Sequence, residues 1–207
     1  MYSGERFNGY SHLVGTVLAV AGAASLIQVS MQDSDPWRLV SSVIYGTTLV
    51  LLYLFSTLYH SVRGALKPLF RRLDHCAIFL LIAGSYTPFA LVTLHGPWGW
   101  ALFAVNWTLA VIGIVQELRV GRRSRALSIA VYVVMGWMVL FAIVPLMNAL
   151  PKAGMVWLAA GGVFYTGGVA FYALDKKFRH FHGIWHLFVM AGSACQFVSI
   201  FQYVGAR

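Results

Sequence analysis

The chain has 207 residues, 59% of them hydrophobic and 10% charged, with a formal charge of +9 and a mean hydropathy of +0.74. That composition excludes a disordered chain and an ordinary water-soluble domain. Both cysteines, Cys76 and Cys195, fall inside apolar runs, so they read as small buried hydrophobes rather than a disulfide or redox pair.

A bilayer-crossing helix needs about 20 mostly apolar residues. Seven segments reach that length: 11–32, 39–61, 73–94, 98–116, 125–147, 154–174 and 181–204. The polar or basic connections between them are short, so the expected fold is all-α, a single seven-helix transmembrane domain over 1–207. Ahead of the first segment Glu5 offsets Arg6, and the apolar stretch runs on to Met31. A retained helix is therefore expected there rather than a cleaved signal peptide.

The second segment ends in "FSTLYHS", with Ser56 and His60 four residues apart. The third opens with "RRLDHCAIF", which carries Asp74 and His75, and its "IAGSYTPFA" places Pro88 where a kink is predicted. The fourth and fifth are separated by the basic stretch "ELRVGRRS". "AAGGVFYTGG" in the sixth supplies small residues for close helix contact. The seventh opens with "RHFHGIWHLFVM", placing His182 and His186 one turn apart behind His180. Polar residues deep in the spans, such as Thr47, Asn106 and Gln196, are neutral, unlike the usual lining of an ion or proton pathway.

Apart from Arg38, Lys152 and Arg207, every Lys and Arg belongs to the N-terminus or to the second, fourth or sixth connection. The positive-inside rule then places the N-terminus in the cytoplasm and the C-terminus outside. It also accounts for the high pI without nucleic acid; the bilayer is the expected partner. On this orientation His60, Asp74, His182 and His186 share one depth, on the cytoplasmic side. Ionisable residues inside a membrane are costly and usually pair or serve a site.

Residues four apart share a helix face, so His182 and His186 can converge on one ion. With His60 they would supply three neutral imidazoles and leave a fourth position open, a donor set that suits zinc but also copper, nickel and iron. An isolated H-x-x-x-H is equally the pattern of histidines resting at the headgroups. His12 is a reserve ligand, while His180 and His95 read as loop residues. Asp74 reads three ways: partner of Arg71 or Arg72, a span-end residue with no further role, or proton acceptor beside a metal. Ser56 either packs and back-bonds within its helix or hydrogen-bonds to groups in the site. His75 is turned about 100° from Asp74, so the two do not both face one centre.

The layout, together with "STLYHS", "RRLDHCAIFLLIAGSYTPF" and "HGIWHLFVMAGS", resembles the hemolysin III family, bacterial relatives of the progestin and adipoQ receptors. The resemblance spans nearly the whole chain. It implies a zinc ion held by His60, His182 and His186, with Asp74 and Ser56 close to the water at the open position. In the related adiponectin receptors the corresponding site is linked to hydrolysis of ceramide-like amides, so the resemblance implies a membrane lipid as substrate or ligand. Three functions follow as expectations: a zinc-dependent hydrolase of lipid amides or esters acting in membrane homeostasis; a non-catalytic membrane sensor with a structural zinc; and, last, a pore-forming hemolysin.

Overall fold

A computed structural model describes residues 1, 4–120 and 125–205. Arg122, Arg123 and Arg207, which enter the charge count above, lie outside the described residues. All regular elements among the described residues are helical, and seven helical spans are long and apolar enough to cross a membrane: Arg6–Ser30, Pro36–Ser61, Gly64–Leu94, Gly96–Arg119, Arg125–Ala149, Lys152–Leu174 and Phe181–Gly205. They are built from α1 (Arg6–Ser30), α2 (Pro36–Ser61), α3 (Lys67–Pro88), α4 (Gly96–Val120), α5 (Arg125–Trp137), α6 (Ile143–Ala149), α7 (Lys152–Leu174) and α8 (Phe181–Ile200).

Several helices outrun their apolar segments. Pro36 opens α2 where no intrahelical N–H is needed, and Asp35 caps it by accepting from Trp37 N at 2.9 Å. The stretch read as a connection before the third span is mostly helical: Gly64, at φ +67°, makes the turn, and Pro68 sits in the first turn of α3. The polar start of α3 thus carries Arg71 and Asp74 inward. At the other end of α3, Pro88 gives way to wider π-type turns over Phe89–Leu94.

The fifth span is not one continuous α-helix. A 3-10 segment, Met138–Ala142, separates α5 from α6, because Pro145 lacks an N–H to continue the ladder. Tyr86 on α3 fills part of the gap, accepting from Val139 N at 2.9 Å and donating to Gly136 O at 2.7 Å. Irregular backbone is tolerated in a membrane where protein groups satisfy it in this way.

Lipid tails offer no hydrophobic gain for helix association, so close fit must supply it. Along α7, Gly154, Gly161 and Gly168 are buried at seven-residue intervals, and a Cβ on Gly168 would lie 2.9 Å from Phe188 Cβ of α8. The α1–α2 contact is equally tight, with Gly46 against Ala23 and the hydroxyls of Ser30 and Ser42 2.7 Å apart. One apolar core includes Leu26, Tyr45, Leu49 and Leu81; a smaller one joins α3, α4 and α5 through Phe79, Ala110 and Met135. Large apolar side chains such as Val17, Ile112, Val144 and Val163 face outward, as a lipid-facing surface requires.

Candidate metal centre

The chain has only six acidic residues. Asp33 and Asp35 sit at the start of α2, where Asp33 pairs with Arg38 at 2.7 Å. Glu5, Asp74, Glu117 and Asp175 lie at the other end of the bundle, with the histidine cluster.

His60, from the last turn of α2, meets His182 and His186 from the first turns of α8. One ligand atom from each lies within 4.8 Å of the others. At zinc–nitrogen bonds of about 2.0–2.1 Å, tetrahedral ligand atoms sit about 3.4 Å apart, so modest contraction would close the cluster on an ion.

Hydrogen bonds favour one tautomer for all three rings. His60 Nδ1 donates to Glu5 Oε2 at 2.6 Å, His182 Nδ1 to Asp175 Oδ2 at 2.8 Å, and His186 Nδ1 to the Asn8 carbonyl at 3.1 Å. The three Nε2 atoms are buried and have no hydrogen-bond partner among the described residues. An orphaned buried nitrogen costs about 1–3 kcal/mol, and three imidazoles that meet with a free nitrogen each are the donors a divalent cation needs. The donor set therefore fits the metal that the sequence suggested.

The carboxylates are themselves anchored. Loss of hydration on burial would raise Glu5, but the His60 bond and charge, the Asn8 amide and Lys67 outweigh it and bring its pKa down to about 2. Asp175 is likewise held below the ordinary carboxylate range against the effect of burial, by His182 and by Arg125 at 2.7 Å. Arg125 also donates to the Tyr172 carbonyl and stacks 4.3 Å above that ring.

Ser56, one turn before His60, is buried with an unpartnered hydroxyl. Asp74 is buried at the start of α3 and forms no hydrogen bond or ion pair among the described residues; Arg71 is aligned instead with Glu117, 4.0 Å away. That leaves the ion-pair reading of Asp74 without support. His12 is not a member of the cluster: its ring stacks on His186, centroids 3.6 Å apart, with both nitrogens unpartnered. His180 is exposed at the start of α8, and His95 is exposed in the turn before α4.

Hydropathy missed Glu5, Asp175 and Glu117. All three stand in stretches read as tail or connection, but α4 continues to Val120 and buries Glu117 at 1% exposure. The usable signal was scarcity, because four of six carboxylates fall at the histidine end.

Seven apolar helices with buried and half-buried histidines and carboxylates gathered at one end define a multi-pass membrane protein with a candidate three-histidine metal site. The chain belongs to the haemolysin-III-related family, whose pattern it matches over residues 1–197. It is 43% identical to Hemolysin-3 of Bacillus cereus over 97% of this chain and 91% of that protein. It is 40% identical to the Hemolysin-3 homolog of Bacillus subtilis (strain 168), over 96% and 93%. At 29% identity it is similar to the human monocyte to macrophage differentiation factor, over 95% and 83%.

Proposed function

We propose that the chain is a zinc-dependent hydrolase of lipid amides or esters, acting at the cytoplasmic face of the cell membrane in membrane homeostasis. The observation that carries this reading is the meeting of His60, His182 and His186, one ring nitrogen from each within 4.8 Å of the others, together with three buried Nε2 atoms that have no partner among the described residues, a donor set with a coordination position to spare. His60, His182 and His186 would hold the ion, while Glu5, Asp175 and the Asn8 carbonyl hold the rings. Bound there, zinc would polarise a carbonyl and make water acidic enough to lose a proton near neutrality. Asp74, buried and unpaired, is the proton acceptor, and the free Ser56 hydroxyl orients water or the substrate carbonyl. The acyl chain lies between helices, with its head at the histidine end. The basic residues of that end support the cytoplasmic orientation.

Metal analysis of the purified protein beside a His60/His182/His186 triple alanine variant tests the centre; equal metal content would sink it. Turnover on a panel of lipid amides and esters tests the chemistry. A metal-loaded protein inactive on the whole panel, with cellular function intact in Asp74→Ala, would favour the sensor with a structural zinc. Metal-dependent ion flux in liposomes would favour the pore.

A further inference from the structure

Three carboxylates at the histidine end each accept from the Nδ1 of a different imidazole: Glu5 from His60 at 2.6 Å, Asp175 from His182 at 2.8 Å, and Glu117 from His75 at 3.0 Å. All three pairs line one cavity of about 400 Å³. Two of these imidazoles belong to the candidate metal cluster. His75 does not.

We propose that His75, held by Glu117, is a catalytic acid of this cavity, protonating the leaving group of the lipid substrate; this rests on the hydrolase reading above. The geometry of the pair is that of an imidazole fixed from behind. Glu117 is almost fully enclosed, at 2% side-chain exposure, whereas the His75 side chain is 20% exposed. Glu117 also accepts from the Ser128 hydroxyl at 3.3 Å, and Arg71 lies 4.0 Å away. The Tyr132 hydroxyl donates to the His75 carbonyl at 3.0 Å, anchoring the backbone beneath the ring. With Nδ1 committed to Glu117, Nε2 is the nitrogen left for the cavity, and it carries no hydrogen bond among the described residues. A buried carboxylate is costly, and a simple staple between α3 and α4 would not require its imidazole to open onto the space shared with His60 and His182. A carboxylate behind one ring nitrogen and a substrate space before the other is how a histidine is oriented for proton transfer.

The step balances with water as the only co-reactant. The water oxygen bonds to the acyl carbon while Asp74 takes one of its protons. His75 enters this step as the imidazolium paired with Glu117, with a proton on each ring nitrogen. The acyl C–N or C–O bond then breaks, its electron pair passing to the departing atom, which receives the Nε2 proton and leaves the Nδ1–H on the carboxylate. A proton returns from Asp74 to His75 through solvent, leaving a fatty acid and an amine or alcohol.

The experiment compares two substrates that share one acyl chain. A fatty N-alkyl amide needs its nitrogen protonated to depart; the p-nitrophenyl ester leaves as the phenolate unaided. In zinc-loaded protein, His75→Gln is expected to lower amide turnover by about 100-fold or more, while ester turnover and zinc content stay near those of the unsubstituted protein. Glu117→Gln is expected to give the same split at smaller size. Retained ester turnover also reports that the variants fold. Equal loss on both substrates would assign the pair a structural role and overturn the proposal, as would undiminished amide turnover. Unsubstituted protein inactive on both substrates would overturn the hydrolase reading and this proposal with it.

Discussion

At the ligands, the position of each imidazole proton decides whether the cluster can hold a cation. Glu5 and Asp175 keep that proton on Nδ1 of His60 and His182, leaving Nε2 as the donor. Outer partners of this kind typically change metal affinity by 10–100-fold when replaced. Glu5→Gln and Asp175→Asn are therefore each expected to weaken zinc binding by roughly 10–100-fold in a chelator competition, with the helical CD signal retained; unchanged affinity would remove their supporting role. The clustered histidines were legible before folding, because three imidazoles at the ends of apolar runs stand out against their neighbours. Their supports were not. Glu5 reaches a histidine 55 positions away, and Asn8 serves His186 through its backbone, 178 positions away, so no local pattern announces either.

Among the elements, apolar length located every span but set several of the ends too tightly, since a polar turn remains helical where caps and partners satisfy its backbone. The first turns of α3 are the clearest case: Lys67 donates to the Tyr59 carbonyl at 3.0 Å, securing the turn that leads to Asp74. The break in the fifth span was likewise invisible to hydropathy, which weighs apolar character and ignores Pro145. Helix contacts give the sharper test at this scale. A Cβ on Gly46 would lie 2.8 Å from Ala23 Cβ, so Gly46→Val forces α1 from α2. A loss of about 1–3 kcal/mol is expected, the usual range for overpacking, read as a lower melting temperature in detergent. Gly162, with no neighbour within 4 Å of an added Cβ, is the matched control, and Gly162→Val should show no such loss.

For the whole molecule, the cluster bridges α2 and α8, which are distant in sequence. A ligand that binds only the folded state stabilises it by mass action, so zinc removal should lower the melting temperature of the unsubstituted protein. His60→Ala should melt at one temperature with or without chelator. A chelator effect of equal size in both would place the stabilising metal elsewhere. The fold class and the clustering of basic residues at one end were readable from composition and loop charge. Orientation is tested by labelling single cysteines in a background lacking Cys76 and Cys195: a cysteine replacing Lys176 should react from the cytoplasmic side, and one replacing Lys152 from outside.

Glu5, Asn8 and the histidine pair of α8 also bear on how the protein is made. Glu5, Asn8 and His60 are made well before His182 and His186, which arrive only with α8. A nascent chain that stops before α8 lacks two of the three histidines. Metal capture by all three histidines would therefore wait until α8 has inserted and docked beside α1 and α2, and would serve as a chemical mark of that docking. A chain stalled before α8, however well its early helices insert, would stay without that mark.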